Sequence, residues 1–207
     1  MRPRAQKAEQ IFNAAQEVFL EVGYGAASMD NLASRAGVSK ATIYAHYESK
    51  RALFEAVIRR RAEGIAAAFT IPEKVIDLKQ TLNAIASSFS DMVLTAEAVA
   101  MFRVVLAEVI HQPEIGDAFY SAGPTYARKL LADFLRSLAH RGILNIDQGQ
   151  VHIASDLFLS MLVNDAHMRA LFGQPANRAL REQSVAMAVD LLITRFGQKE
   201  PVQRNTA

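Results

Sequence analysis

Residues 37–54, GVSKATIYAHYESKRALF, gather Ser39, Lys40, Thr42, Tyr44, His46 and Lys50 on a segment with one acidic residue, Glu48, and no proline. Hydroxyl, ammonium, phenol and imidazole groups so placed are donors and acceptors for an anionic, base-bearing partner. They are not spaced as a nucleophile beside its base. The chain has no Gly-x-Ser-x-Gly elbow, phosphate loop or Rossmann glycine pattern, so no enzymatic activity is expected. His152 with Asp156 and Glu108 with His111 share helix faces, but neither pair has the spacing of a known zinc motif, and no metal or cofactor is expected. Zero cysteines remove thiolate ligands, disulfides and a cysteine nucleophile.

These side chains must be carried on helices. Ile11, Ala14, Ala15, Val18, Phe19 and Val22 recur at helical spacing, and Gly23 sits where a first helix would close. Ser28 can cap a short second helix with Met29, Leu32, Ala33 and Ala36 inward, and Gly37 supplies a sharp turn. Ser39 caps a third helix ending near Tyr47. Ser49 caps a fourth, with Leu53, Phe54, Val57, Ile58 and Ile65 in phase until Ile71–Pro72. Helical patterns follow over roughly 73–94, 97–111, 114–141 with a break or kink at Gly123–Pro124, 147–172 and 177–196. No segment alternates with period two, so the expected fold is all-α. The expected division is an amino-terminal domain over 1–48, a connecting helix over 49–71 and a carboxy-terminal domain over 72–207.

Two short helices joined by a glycine turn, the second bearing exposed donors, form a helix-turn-helix whose second helix enters the DNA major groove. Val38, Ile43 and Tyr47 face the bundle. Lys40, Ala41, Thr42 and Ala45 fall where base edges are read, and Tyr44, His46 and Lys50 where phosphates are expected. Ser28 and Lys50 begin helices whose free N–H groups suit anions, and Ser39 begins the reading helix. Arg2 and Arg4 offer a basic arm, and Arg59–Arg60–Arg61 reads as a solvated stretch of the fourth helix.

Composition agrees. A hydrophobic fraction of 51% against 21% charged residues excludes a disordered chain. Net charge is only +2, yet residues 1–61 hold ten Lys or Arg against six Asp or Glu, so the basic excess sits at the reading end. No apolar run approaches the roughly 18 residues of a membrane span, and a soluble, cytoplasmic protein without a membrane partner is expected.

The stretch MDNLASRAGVSKATIYAHYESKRALFEAVI, within residues 7–58, resembles the DNA-binding segment of the TetR family of transcriptional regulators. FRVVLAEVIHQPEIGDAFYSAGPTYARKLLADFLRSLAHRGIL is similar to the carboxy-terminal domain of that family's AefR-like branch. The resemblance implies a homodimer that binds operator DNA through its amino-terminal domain, with a carboxy-terminal domain that pairs the subunits and often encloses a small-molecule inducer. Ala45 departs from the pattern, since many relatives carry a larger, often aromatic residue there.

In the carboxy-terminal part, Phe89, Met92, Phe102, Arg103, Phe119, Tyr120, Tyr126, Phe158, Met161, Asn164 and Met168 lie on otherwise apolar helices. Singly each reads as core. Together they suit an apolar pocket with Arg103, Tyr126 and Asn164 as orienting groups. Leu157, Phe158, Met161, Met168, Leu171, Val185, Ala188, Val189, Leu192 and Phe196 give the last two helices a surface for homodimerisation. The fourth helix, with Leu53 and Phe54 at one end, Ile65 and Phe69 at the other and Gly64 between, is the expected lever from pocket to DNA. The expected function is a repressor released from its operator by an apolar ligand; the competing reading is a ligand-independent helical DNA-binding or partner-binding protein.

Overall fold

The computed structural model describes residues 3–64, 77–163, 165–175 and 177–198. These form α1 (Pro3–Ala26), α2 (Met29–Ala36), α3 (Lys40–Tyr44), α4 (Lys50–Glu63), α5 (Leu78–Val93), α6 (Ala96–Glu108) and α7 (Pro113–Tyr120). A π-helical turn (Ser121–Thr125), α8 (Tyr126–His140), α9 (Val151–Leu162), α10 (Asp165–Leu171) and α11 (Arg178–Phe196) complete the fold. The fold is all-α. Among the described residues there is no strand, only a lone antiparallel bridge between Leu144 and Gly197.

Side-chain caps explain where most of these helices begin. Ser28 and Asn31 form a reciprocal capping box, with Asn31 N–H donating to Ser28 Oγ at 3.2 Å and Ser28 N–H to Asn31 Oδ1 at 2.8 Å. Ser39, Ser49, Asp77, Thr95 and Asn177 likewise accept from the backbone N–H three residues on.

Two boundaries differ from expectation and two irregular points refine it. Gly23, at φ 79° and ψ 172°, leaves the helical conformation where the first helix is expected to close, and helical residues resume to Ala26. The α3 ladder ends at Tyr44, although the N–H groups of His46 and Tyr47 still return to the Ile43 carbonyl at 2.9 and 2.8 Å. Pro124 does not stop the chain: lacking an N–H, it is accommodated by a π turn that joins α7 to α8. The span expected over 147–172 is divided, with α9 ending at Leu162 and Asp165 opening α10, where an acidic residue suits a helix start.

Two apolar cores hold the helices. One unites α1–α4 through Phe19, Leu32, Ile43, Leu53 and Phe54, and it also takes in Met101 and Val105 of α6 with Ile115 and Ala118 of α7. The other joins α5, α8, α9 and α11 around Ile85, Leu131, Phe158 and Val189. Thus α6 and α7 belong physically to the core of the amino-terminal helices, although they lie well beyond residue 72 in sequence.

Candidate nucleic-acid interface and ligand cavity

Gly37 makes the turn between α2 and α3. Its φ of 64° is the left-handed conformation that side chains resist, and Val38 N–H then returns to the Ala33 carbonyl at 3.1 Å. Leu32, Ala33 and Ile43 are buried, which fixes α2 against α3 and turns the opposite face of α3 outward. Ser28, Ser39, Lys40, Ala41, Tyr44 and Ala45 are exposed, and Thr42 and His46 half-buried, so these eight residues share one accessible region. Tyr44 is 48% exposed, unusual for a tyrosine with no outward partner to cover it.

Within that region the polar groups are preorganised. Thr42 Oγ1 lies 2.8 Å from Ser39 Oγ, and Lys40 Nζ donates to Asp30 at 2.9 Å. The carboxylate raises the Lys40 pKa through that hydrogen bond, so Lys40 is fully cationic at neutral pH. Both partners are exposed, and a phosphate or base edge can displace so weak a pair.

Lys50 is placed differently from expectation. Its ammonium does not extend outward but donates to the carbonyls of Tyr24 at 2.7 Å, Ala27 at 2.9 Å and Gly25 at 3.3 Å. It also lies 4.3 Å from the centre of the Tyr24 ring. Burial pushes its pKa down, opposed by the charges of Glu108 and Glu114. The side chain clamps the end of α1 to the start of α4, so the expected phosphate contact through its ammonium is corrected to a structural role. Carbonyls 23–26 residues upstream cannot be anticipated from local spacing.

Phe89, Met92, Phe102, Phe119 and Tyr120 all line a single cavity of about 560 Å³. Its walls also include Ile58 and Ala62 of α4, Met101 and Val105 of α6, Arg128 of α8 and His167 of α10. The lining is overwhelmingly apolar. The Phe102 ring meets Phe119 edge-on at 5.4 Å and His167 edge-on at 5.0 Å.

The remaining expected pocket residues lie elsewhere. Arg103 is exposed and donates to the carbonyls of Leu171 at 2.9 Å and Ala170 at 2.7 Å, closing the end of α10 rather than facing a ligand. Phe158 is fully buried in the core, Met161 packs against that core, Met168 is exposed, and Tyr126 does not line the cavity. Asn164, like Arg2, Ile65 and Phe69, falls outside the described residues. His167, which reads from the sequence as a core or pocket histidine, lines the cavity, whereas Arg128 carried no signal beyond a polar residue on an amphipathic helix.

The dimerisation residues need a similar correction. Phe158, Val185, Ala188, Val189, Leu192 and Phe196 fill the subunit's own core. Of the expected residues Leu157 (57%) and Met168 are exposed, and α9 and α11 also expose Ile153, Met187 (61%) and Leu191 (50%).

Exposed donors on a helix-turn-helix, together with an apolar cavity that α4 shares with the helices beyond it, define a DNA-binding transcriptional regulator. Residues 11–57 match bacterial regulatory proteins of the tetR family, and residues 80–198 match the AefR-like transcriptional repressor, C-terminal domain. The chain is similar to the transcriptional regulator UidR of Escherichia coli strain K12, 27% identical over 188 residues and 89% of each protein. It is 38% identical over 92 residues to the transcriptional activator FasR of Mycolicibacterium smegmatis, a match spanning 44% of this chain and 42% of FasR. The solved structure of the flavonoid-responsive regulator FrrA is 27% identical, with a TM-score of 0.75, covering 95% of this chain and 100% of that one. This chain belongs to the TetR family, as a DNA-binding regulator and not an enzyme. No helix among the described residues is long and apolar enough to cross a membrane.

Proposed function

We propose that the protein is a cytoplasmic repressor that binds a near-palindromic operator as a homodimer and is released by a small apolar ligand. The observation that carries this reading is the position of α6. Its Met101, Phe102 and Val105 line the cavity, while its last residue, Glu108, meets the end of α1. A ligand that displaces α6 therefore acts directly on the DNA-binding helices. The AefR-like repressor match supports the sign of regulation, and the responsiveness named for FrrA supports a ligand.

In this reading Lys40, Ala41, Thr42 and Ala45 contact bases, and Ser28, Ser39, Tyr44 and His46 position the phosphates. The exposed faces of α9 and α11 meet their symmetry mates in an isologous four-helix interface, setting the two α3 helices about 34–36 Å apart. The functional division places DNA recognition in residues 1–48, a connection in 49–71 and ligand binding with pairing in 72–207. Release requires the ligand to prefer the DNA-incompetent arrangement, since equal affinity for both shifts nothing.

A gel shift on the promoters of its own and adjacent genes, with purified dimer and random DNA as competitor, tests the proposal. Specific retardation supports it; equal affinity for random DNA contradicts it. The large preformed cavity disfavours a ligand-independent partner-binding protein.

A further inference from the structure

The groups around the cavity restrict the charge of what can enter it. Four polar side chains reach the lining: Tyr120, Arg128, Ser160 and His167. Tyr120 and Ser160 are exposed, which places them at the mouth. Arg128 is the one cation in the wall among the described residues, and it is already compensated, its Nε donating to Asp156 and its guanidinium lying 5.1 Å from the Tyr120 ring centre. An entering carboxylate would share that charge with Asp156 or remain unpaired among apolar side chains, so it gains less at this wall than a neutral group that has no charge to desolvate. No acidic side chain lines the cavity among the described residues, so an entering cation finds no counter-ion.

His167 supplies the polar handle. Burial pushes its pKa down, so the ring is neutral at physiological pH and offers one donor and one acceptor. It makes no hydrogen bond to another described residue, and its recorded ring contact is with Phe102. Phe119, Phe102 and His167 meet with interplanar angles of 87° at both junctions, which displays ring faces and ring edges side by side. Such a wall complements another aromatic ring better than it does an aliphatic chain, and Met92 and Met101 adapt to its outline.

We propose that the cavity selects an uncharged, planar aromatic ligand bearing a hydroxyl or carbonyl group, packed on Phe102 and Phe119 and oriented by a hydrogen bond to His167. This rests on the reading of the cavity as the inducer site. Arg128 and Asp156 act as a charge filter: the carboxylate already held at the Arg128 Nε weakens the pull of the wall on a second anion.

Three probes of comparable size test this by calorimetry on the full-length protein near neutral pH: 9-phenanthrol, phenanthrene-9-carboxylate and 1-dodecanol. The phenol is expected to bind at least about tenfold more tightly than either of the others. Equal or tighter binding of the carboxylate overturns the charge assignment, equal or tighter binding of the alcohol overturns the aromatic one, and no binding by any probe overturns both. Asp156→Asn should raise affinity for the carboxylate severalfold while leaving the phenol within about twofold; an unchanged carboxylate affinity would remove the filter. His167→Leu should weaken phenol binding about tenfold, and His167→Gln, which keeps a donor and an acceptor, should recover part of it. Circular dichroism checks that each variant is folded, and an equal loss in the Leu and Gln variants contradicts the hydrogen bond. If 9-phenanthrol binds as expected but fails to release operator DNA, the inducer reading falls while the ligand class stands.

Discussion

Lys50 Nζ donates to the Tyr24 carbonyl at 2.7 Å, so a cation in the sequence position of a phosphate contact instead holds α1 to α4. Tyr24 in turn stacks on Phe19 and meets Phe54 edge-on, each within 6 Å (5.8 and 5.3 Å), and all three rings are buried. The clamp thus connects the helix that carries the amino-terminal core to the one that reaches the cavity.

Lys50→Met keeps the stem but removes the ammonium, leaving the carbonyl ends of α1 without their donor. The expected loss is about 1–3 kcal/mol of stability in urea unfolding. Operator binding by the remaining folded protein should keep its salt slope. A slope reduced by about 1 per subunit, with unchanged stability, would return Lys50 to the phosphate backbone.

On α3 the two classes of contact separate by specificity. Thr42→Val and Lys40→Met should relax preference at one position per half-site, by about 1–3 kcal/mol for a bidentate contact and less for Thr42. Tyr44→Ala should weaken specific and random DNA about equally. A binding-site selection with each variant makes the comparison, and unchanged preference in both Thr42 and Lys40 variants would move base reading to Ala41, Ala45 or DNA shape.

In the proposed dimer, exposed residues and not buried ones control pairing. Met187→Glu and Leu191→Glu should give folded monomers by light scattering, because both side chains lie at the surface of α11. Ala188→Glu, at a position 1% exposed, should instead unfold the subunit. Dimers persisting in the first two variants would place the interface elsewhere.

The difference between those adjacent positions shows how far the sequence could be read. The helix-turn-helix was legible because its signals are local: Ser28, Gly37 and Ser39 act within a few residues of themselves. The helices were legible for the same reason. On α11, by contrast, Val185, Ala188, Val189 and Leu192 alternate with Met187 and Leu191 around a helix apolar on more than one side, and periodicity cannot say which side meets its own subunit. Arg103 was misread as a ligand donor because its carbonyl partners lie 67 and 68 residues away. The cavity was found in outline since Phe89, Met92, Phe102, Phe119 and Tyr120 share its lining, but its polar groups depend on packing between distant helices.

We propose a coupling path through α6 and α1 beside α4, whose Ile58 and Ala62 also line the cavity. Gly64 N–H returns to the Arg60 carbonyl at 3.3 Å, and the segment that carries Ile65 and Phe69 lies outside the described residues. At the other junction a methyl group on Gly25 would lie 2.7 Å from a Glu108 carboxylate oxygen and 2.9 Å from Gln112 Nε2. Gly25→Val should therefore push Glu108 aside and change the ligand concentration needed for release, while the protein still binds operator. An unchanged release curve would exclude this contact from the path.

Stability should carry a signature of His167. Its folded pKa lies below the unfolded value, so the unfolded chain takes up the proton first as pH falls below the ordinary histidine range. The native protein should lose stability between about pH 6.5 and the lower folded pKa, and His167→Gln should lose less over the same interval. Identical pH profiles by urea unfolding would show that the ring is not held neutral by burial.

The most direct test of ligand-released DNA binding is the reciprocity of the two affinities. Fluorescence anisotropy gives operator affinity with and without saturating 9-phenanthrol, and calorimetry gives 9-phenanthrol affinity with and without operator. The account predicts that each lowers the other by the same factor, of the order of ten or more. A factor of one in both measurements, with operator and probe bound at the same time, would contradict it.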